Sequence, residues 1–120
     1  MLAKKHRLNL ALKENSSIFT KGNAEFFSSN FFLAYLRKND QYLKVACLVP
    51  KAIFSKAAHR NYYRRLLYDF LEAEIKKEHF SLNKKSDLVI VAKRHFSDNK
   101  LLLSEDFSLL LQKINTATLA

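Results

Sequence analysis

The sequence predicts an α/β sandwich, in which helices pack against one small sheet. Its hydrophobic periodicity changes along the chain in the order α-β-β-α-β-α. The 120 residues suffice for a single modest core, and 48% of them are hydrophobic and 27% charged, which is typical of a globular protein rather than a disordered one. We therefore expect one folded domain over residues 1–120.

The first half of the chain predicts one short helix and two strands. Residues 13–22, KENSSIFTKG, are typical of a helix that ends at Gly22, because glycine tolerates the left-handed conformation that ends many helices. Two later segments, FFLAYLR (31–37) and YLKVACLV (42–49), are rich in aromatic and β-branched residues. The polar tetrad KNDQ between them predicts a hairpin, and Pro50 ends the second strand because it has no backbone N–H.

The second half predicts a helix, a strand and a helix. Ser55 is a candidate N-cap for the first of these helices. The run DLVIVAK (87–93) is almost continuously apolar, which is typical of a strand covered on both faces. Ser104 is a candidate N-cap for SEDFSLLLQKI, where Glu105 and Asp106 suit the positive end of a helix.

The helix after Ser55 divides into an apolar face and a basic face when its residues are placed at the helical period. We expect the apolar face to pack inward; its members are His59, Tyr62, Tyr63, Leu66, Leu67, Phe70 and Ala73. We expect the opposite face to be exposed; its members are Lys56, Arg60, Asn61, Arg64, Arg65 and Tyr68. Leu71 falls among the basic residues as an exception, and no acid precedes Asp69 in this helix.

The charge of the whole chain points to an anionic partner. Lys and Arg number 21 against 11 Asp and Glu, which gives a formal net charge of +10. So much charge on a small chain repels itself unless an anion is bound or nearby, and nucleic acid and an anionic membrane surface are the two candidates. A basic protein without a polyanionic partner remains an alternative.

Other features exclude several classes of protein. Cys47 is the only cysteine, so the chain forms no internal disulfide and no cysteine-based metal site, and we expect a buried thiol. The four histidines show no ligand spacing. The sequence lacks an apolar stretch of membrane-spanning length, and MLAKKHRL lacks the apolar centre of a signal peptide. We expect a soluble, cytoplasmic protein.

The basic helix admits four interpretations from its residues alone. A solvated surface would carry interleaved acids, which are missing here. A membrane-surface helix needs an apolar face that is free to enter lipid, whereas the flanking strands need this face for the core. A DNA reader usually follows a short helical hairpin, and none precedes this helix. Charge therefore favours RNA, although it does not exclude the other three.

The string VPKAIFSKAAHRNYYRRLL resembles the signature of the bacterial ribonuclease P protein subunit, in which a strand and a short loop lead to Lys-Ala and Arg-Asn-Arg-x-Lys-Arg on a helix. KKHRL, IFTKG and SDLVIVAKR extend the resemblance over about residues 4 to 115. It implies an α+β two-layer sandwich with a small mixed sheet of about four strands and three helices. It also implies a βαβ unit with parallel strands at 43–49 and 87–92 and a left-handed crossover, a rare connection.

The resemblance implies which residues bind RNA. Residues that match the signature are Lys51, Lys56, Arg60, Asn61, Arg64 and Arg65. Tyr68 takes the place of a further arginine in the next turn, and we place it on the same RNA-binding face. Tyr62 stands where the family usually has a third arginine, Pro50 replaces a serine, and the loop before Lys56 is one residue longer.

The family has a second surface, a cleft between the sheet and the first helix that takes the single-stranded 5′ leader of precursor tRNA. By resemblance, Phe19 is the aromatic residue that the first helix contributes, and Phe32 and Ala34 are the strand residues that face the cleft. Unpaired bases can lie on such aromatic rings. Plain core packing of Phe19 and Phe32 is the alternative.

The resemblance implies that this chain is the protein component of ribonuclease P, the endonuclease that removes 5′ leaders from precursor tRNA. In that enzyme the RNA subunit holds the catalytic Mg²⁺ ions. The sequence itself shows no acidic cluster for two-metal catalysis, so we expect no catalytic residue and no cofactor bound by the protein. The expected partners are the RNA subunit and precursor tRNA, with no DNA and no membrane. Two alternatives are a structural RNA-binding protein of ribosomal type and a nuclease made of protein alone.

Overall fold

The computed structural model describes residues 4–10, 16–20, 22–80 and 85–118. Over these residues two α-helices pack on a four-stranded sheet. The strands are β1 (Glu25–Ser28), β2 (Phe32–Lys38), β3 (Lys44–Leu48) and β4 (Ser86–Ala92), and the helices are α1 (Ala57–Lys76) and α2 (Lys100–Thr118). The predicted α/β sandwich is confirmed.

The helix predicted over residues 13–22 lies partly outside the described residues. Its described part contains a 3₁₀ turn at Ser17–Phe19, and Gly22 has a φ of 91°. A positive φ is the conformation that glycine adopts most easily, but the turn already ends at Phe19 and Thr20 is extended, so the predicted stop at Gly22 is wrong. The described residues thus contain two of the three expected α-helices.

The strands lie in the order β1-β2-β4-β3. β2 pairs antiparallel with β1 and with β4, whereas β3 pairs parallel with β4. The predicted parallel βαβ unit is therefore confirmed, and the hand of its crossover stays a prediction. The predicted hairpin of residues 31–37 with 42–49 is wrong, because β4 lies between these two strands.

The buried character of β4 explains its central position. Six of its seven residues are buried, since it is covered on both faces, and a strand of this kind gains most by having a neighbour on each edge. Asn39, in the tetrad that suggested a hairpin, instead holds the start of β4. Its side chain donates hydrogen bonds to Asp87 Oδ1 (2.8 Å) and Tyr42 O (2.9 Å).

The main core lies between the sheet and the two helices. Alternate residues of the strands point to this side, and α2 contributes Leu103, Phe107 and Leu110, all with no exposed surface. Phe107 contacts Phe32 of β2 and Phe70 of α1, with ring centroids 5.5 Å and 5.8 Å apart. Neither helix in the described ranges has the length and apolar character that a bilayer span requires.

Helix α1 is rotated relative to its predicted faces by roughly 70°, at 3.6 residues per turn. Its buried residues are Leu66, Leu67, Tyr68, Phe70, Leu71 and Glu74. His59, Tyr62 and Ala73, which were predicted to pack inward, are exposed. The periodicity was misleading because His59 and Tyr62 lie before the fully buried part of α1, which begins at Leu66, while Tyr63 is half-buried against the edge of the core.

Both predicted serine N-caps are wrong. Helix α1 has Lys56 as its N-cap, without a side-chain hydrogen bond to the helix. Before α2, Asn99 Oδ1 accepts hydrogen bonds from the backbone N–H of Leu101 (3.1 Å) and Leu102 (3.2 Å). Helix α2 therefore begins one turn before Ser104, because Asn99 satisfies its first N–H groups.

Asp106, predicted to serve the start of a helix, instead fixes the turn between β1 and β2. Its buried carboxylate accepts hydrogen bonds from Ser29 Oγ (2.7 Å), Phe31 N (2.9 Å) and Asn30 N (3.1 Å). The contact ties the turn to α2 across the edge of the sheet. This contact explains why position 106 carries an acidic residue, whereas the sequence predicted that Asp106 lies at the start of the helix.

We expect Asp106→Ala to lower the free energy of unfolding by roughly 1–3 kcal/mol, because partly buried donors lose their acceptor. Chemical denaturation followed by circular dichroism would measure this loss. Glu105→Ala is the matched control, since Glu105 is exposed and should change the stability little. Equal effects of the two substitutions would contradict the structural role of Asp106.

Candidate nucleic-acid interface

The loop after β3 and the first turns of α1 carry a group of mostly exposed basic and polar side chains. We call this group the basic face; it consists of Lys51, Lys56, Arg60, Asn61, Arg64 and Arg65. A shallow groove runs between it and the end of β3, lined by Cys47, Leu48, Val49, Pro50, Arg60, Asn61 and Arg64. The groove therefore brings three of the predicted RNA-binding residues together, Arg60, Asn61 and Arg64, and their binding of RNA stays a prediction.

Arg60 differs from the other members of the basic face because it also shapes the loop. Its Nη1 donates hydrogen bonds to Phe54 O (2.9 Å) and Ser55 O (2.7 Å). These carbonyls belong to the segment that enters α1, so the guanidinium holds the start of the helix in place. Arg60 is half-buried, whereas Arg64 and Arg65 are exposed.

The positive charge of the basic face is not neutralised within the described residues. Among them, ion pairs join Arg37 to Asp87 and His79 to Glu74, and no carboxylate lies within ion-pair distance of Arg60, Arg64 or Arg65. The uncapped N-terminus of α1 adds the positive end of a helix dipole at the same place. The arrangement suits phosphate groups.

Tyr68 was predicted to lie on the RNA-binding face, and this prediction is wrong. The side chain is only 7% exposed. Its hydroxyl accepts a hydrogen bond from Cys47 N (3.3 Å) and donates one to Val45 O (3.4 Å), so it pairs with the backbone of β3. Burial raises the pKa of Tyr68, which keeps the hydroxyl neutral and able to donate.

The neighbouring Cys47 is buried, as the sequence predicted. Burial raises the pKa of its thiol far above neutral pH, and the positive charge of Arg64 offsets only part of this effect. The thiol therefore stays protonated, and it is a poor nucleophile.

Arg7 is a candidate for the basic face that the sequence analysis missed. Its backbone forms a parallel bridge with Val45, and Leu8 N donates a hydrogen bond to Val45 O (2.9 Å). The segment therefore runs along the free edge of β3, where Arg7 and Arg64 line one groove with Tyr68. The basic string KKHRL was the available signal, but only strand pairing places it beside α1.

A second exposed surface lies on the opposite side of the sheet. Phe19 is 43% exposed and Phe26 is 56% exposed. Each ring makes an edge-to-face contact with the ring of Tyr35, with centroids 5.1 Å apart for Phe19 and 5.4 Å apart for Phe26. We call Phe19, Phe26 and Tyr35 the open-face aromatics. They form a contiguous, partly exposed cluster on the face of the sheet that α1 and α2 do not cover, as far as the described residues show.

Phe32 and Ala34 were predicted to face this surface, and this prediction is wrong. Both residues have no exposed surface and belong to the core beneath the helices. Side chains of a strand alternate between the two faces, so a shift of one residue exchanges the face. Leu33 and Tyr35 of β2 lie on the open face, paired with Val91 and Val89 of β4.

A polar network holds the turn that carries Phe19. Arg37 donates from Nη1 to Ser17 Oγ and from Nη2 to Asp87 Oδ2, each at 2.9 Å. Asp87 is only 6% exposed, and Asn39 donates to its other oxygen. Together with the buried side chain of Ile18, the network fixes the turn against β2 and β4, and this fixes the position of Phe19.

Further positive charge lies where β3 and β4 end. These strands are parallel, with Leu48 opposite Val91, so their carboxyl ends meet at one edge of the sheet. Arg94 and His95 follow β4 and are exposed at this edge, which also leads into the basic face. Lys93 is engaged by the end of β1, where its Nζ donates a hydrogen bond to Ser28 Oγ (2.6 Å).

The described residues do not fit a metal centre. No group of three or more His, Cys, Asp or Glu side chains that could hold a metal ion occurs among them. Their buried carboxylates already have protein partners: Asp87 binds Arg37, Asp106 binds the turn after β1, and Glu74 binds His79.

The match to a protein-family model and the matches to solved structures point to the same family. The family model for ribonuclease P matches residues 2–116. No curated protein sequence matches the chain. The solved structure of the RNase P protein from Thermotoga maritima is 21% identical with a TM-score of 0.72, over 89% of this chain and 96% of that one. The RNase P protein from Staphylococcus aureus is 17% identical with a TM-score of 0.73, over 91% and 94%.

Proposed function

The chain belongs to the ribonuclease P protein family, and from this membership we propose that it is the protein component of a bacterial ribonuclease P. In this proposal the basic face binds the RNA subunit, and the open-face aromatics bind the single-stranded 5′ leader of precursor tRNA. The family role is tRNA processing. In this proposal the basic face and the open-face aromatics, which lie on opposite sides of the sheet, would each bind a different RNA.

The observation that carries the proposal is the uncompensated charge of the basic face. Arg64 and Arg65 are exposed, and no carboxylate in the described part of the chain pairs with them. Cations arranged in this way are attracted to the phosphate backbone of RNA, and each contact releases condensed counterions. The packing of α1 on the core fixes the backbone positions from which these side chains project.

The open-face aromatics support the second half of the proposal. Phe19 and Phe26 expose about half of their surfaces, while Tyr35 lies between them and holds both rings. Flat rings at the surface of a sheet can stack on unpaired bases without regard to their sequence. Duplex RNA could not use this surface, because its bases are stacked on each other.

The protein would act by binding, and the RNA subunit would carry out the cleavage. Mg²⁺ held by the RNA would supply the metal-ion chemistry of phosphodiester hydrolysis. The basic face would reduce the repulsion between the phosphates of the RNA subunit and those of the substrate. The open-face aromatics would hold the leader and thereby orient the substrate on the RNA.

Cleavage of precursor tRNA by the ribonuclease P RNA of the same genome tests the proposal. At low Mg²⁺ concentration, addition of the protein should restore cleavage at the 5′ end of the mature tRNA. A protein that binds RNA without changing this cleavage would be a structural RNA-binding protein of ribosomal type. Cleavage by the protein without the RNA would identify a protein nuclease, and either result would overturn the proposal.

We expect Tyr35→Leu and Phe19→Leu each to weaken the binding of leader-bearing precursor tRNA to the assembled enzyme. One lost stacking contact contributes roughly 1–3 kcal/mol, which corresponds to about 5- to 150-fold in affinity. Binding of mature tRNA should not change, because it has no leader. Equilibrium binding of the two tRNAs to the reconstituted enzyme measures the difference.

Phe32→Leu is the matched control for the leader measurement. Phe32 lies on the same strand as Tyr35 but faces the core, so any defect should weaken both tRNAs alike. Equal losses for the two tRNAs with Tyr35→Leu and Phe19→Leu would show that the open-face aromatics do not bind the leader.

A further inference from the structure

Tyr62 is an exposed aromatic residue beside the basic face. The side chain is 58% exposed, although its spacing predicted an inward position. It lies three residues before Arg65, and residues at this spacing are neighbours on the surface of a helix. On its other side lies a cluster of aromatic rings around Phe54. Tyr62 therefore lies between the cations of the basic face and this aromatic cluster.

The ring of Tyr62 rests on a rigid support. It contacts Tyr63 edge to face, with centroids 5.0 Å apart and planes at 87°. Tyr63 stacks on Phe54, with centroids 4.7 Å apart and planes at 5°, and Phe96 contacts both rings. Phe96 in turn contacts the buried Phe32, so a continuous chain of rings joins Tyr62 to the core.

Exposed aromatic residues that occur singly on a surface are ordinary and need no function. Tyr62 differs because its orientation is supported by neighbouring rings and because unpaired cations lie on the adjacent turns of the helix. An exposed ring next to phosphate-binding side chains is how proteins hold single-stranded RNA: the ring stacks on a base while the cations bind the backbone. A protein partner would instead need acidic groups for Arg64 and Arg65 and an apolar contact for the ring.

We propose that Tyr62 stacks on an unpaired nucleobase of the same RNA whose phosphates the basic face binds. This inference rests on the proposed function and extends it: the RNA segment at the start of α1 must contain an unpaired nucleotide. Arg65 binds the phosphate next to that nucleotide, and the ring of Tyr62 covers the base. The contact adds affinity that depends little on salt to an interface that otherwise depends strongly on it.

Three substitutions at this position separate stacking from charge. Tyr62→Phe keeps the flat ring, Tyr62→Leu removes it and keeps apolar volume, and Tyr62→Arg replaces it with a cation. The measurement is the dissociation constant for the in vitro transcribed ribonuclease P RNA of the same genome, taken at several salt concentrations. Leu109→Ala is the control, since Leu109 is 53% exposed on α2 and lies beside the C-terminal end of α1, the end opposite Tyr62.

Stacking predicts a distinct result for each variant. Tyr62→Phe should bind within about twofold of the wild type, and Tyr62→Leu should bind roughly 5- to 150-fold more weakly at every salt concentration. The log–log salt slope of Tyr62→Leu should stay unchanged, because stacking releases no counterions. Tyr62→Arg should steepen the slope by about 0.7–0.9, as expected for one added phosphate contact. Leu109→Ala should match the wild type.

The outcomes distinguish a failure of this inference from a failure of the proposed function. If the wild type does not bind the RNA, the proposed function fails. If the wild type binds and Tyr62→Leu binds equally well, the stacking contact does not exist and the function stands. A weaker Tyr62→Leu whose salt slope is also reduced would show that Tyr62 only positions Arg65, which likewise overturns the inference. Tyr62→Phe and Tyr62→Leu should unfold at the same temperature. Equal unfolding temperatures would show that a difference in RNA binding between the two variants is not caused by a folding defect.

Discussion

Replacing Arg64 and Arg65 together by Ala should lower the affinity for the RNA subunit by at least about 100-fold at low salt. A charged hydrogen bond contributes roughly 1.5–3 kcal/mol, and two such contacts to phosphates would be lost. The log–log dependence of affinity on salt should become shallower by about 1.4–1.8, because two fewer phosphates are neutralised. Filter binding or fluorescence anisotropy over a salt series measures both quantities. Arg60 is left intact because its guanidinium holds the entrance to α1.

The matched control for this double variant removes the same charge from the other end of α1. Lys76 and Lys77 are exposed at the C-terminus of the helix, roughly 18 Å from Arg64 at 1.5 Å per residue. Lys76→Ala with Lys77→Ala should reduce the affinity much less. Equal losses in the two double variants would mean that net charge, and no particular surface, attracts the RNA. Both double variants should unfold at the wild-type denaturant concentration, because all four side chains are exposed.

Phe32→Ala should lower the free energy of unfolding by about 3–5 kcal/mol, the usual cost of removing a buried phenylalanine side chain. Phe32 has no exposed surface and contacts Phe96 and Phe107. The substitution therefore opens a cavity between the sheet and α2. Urea denaturation followed by fluorescence or circular dichroism gives the change directly.

Phe26→Ala is the control for this second prediction, because Phe26 lies on the neighbouring strand and is 56% exposed. It loses the contact with Tyr35 but leaves no buried cavity, so we expect a cost below about 1 kcal/mol. If the two substitutions destabilised the protein equally, Phe26 would also be a core residue. The open-face aromatics would then be unavailable to the leader.

The difference between Phe32 and Tyr35 shows why the site could be predicted only in part. Both are aromatic residues of one strand, and the sequence around them, FFLAYLRK, alternates too weakly in polarity to show which face is buried. The face of each residue follows from the register of β2 against β4 and β1. The register in turn depends on residues more than fifty positions away in the chain, such as Val89, which no local pattern contains.

The buried face of helix α1 could likewise be predicted only in part from the sequence. The helical period correctly identified Leu66, Leu67 and Phe70 as buried, because these residues lie over the core. The predicted environments of Tyr62 and Tyr68 are the reverse of the observed ones. Tyr62 is exposed, whereas Tyr68 is buried and its hydroxyl binds the backbone of β3. A tyrosine is compatible with either environment, since its ring is apolar and its hydroxyl polar. Only the position of β3 beside the helix decides between them.

The sequence by itself determined the charge of the chain, its α/β class, the buried character of strand β4 and the helix that carries the basic residues. These properties are local, because composition, helical period and a continuous apolar run are each read within a short window. The tertiary structure alone decided that β4 separates β2 from β3, that Arg7 joins the edge of β3, and that Tyr35 rather than Phe32 faces the open side. These properties depend on which distant segments lie side by side, and that choice is made by burial of the whole chain at once.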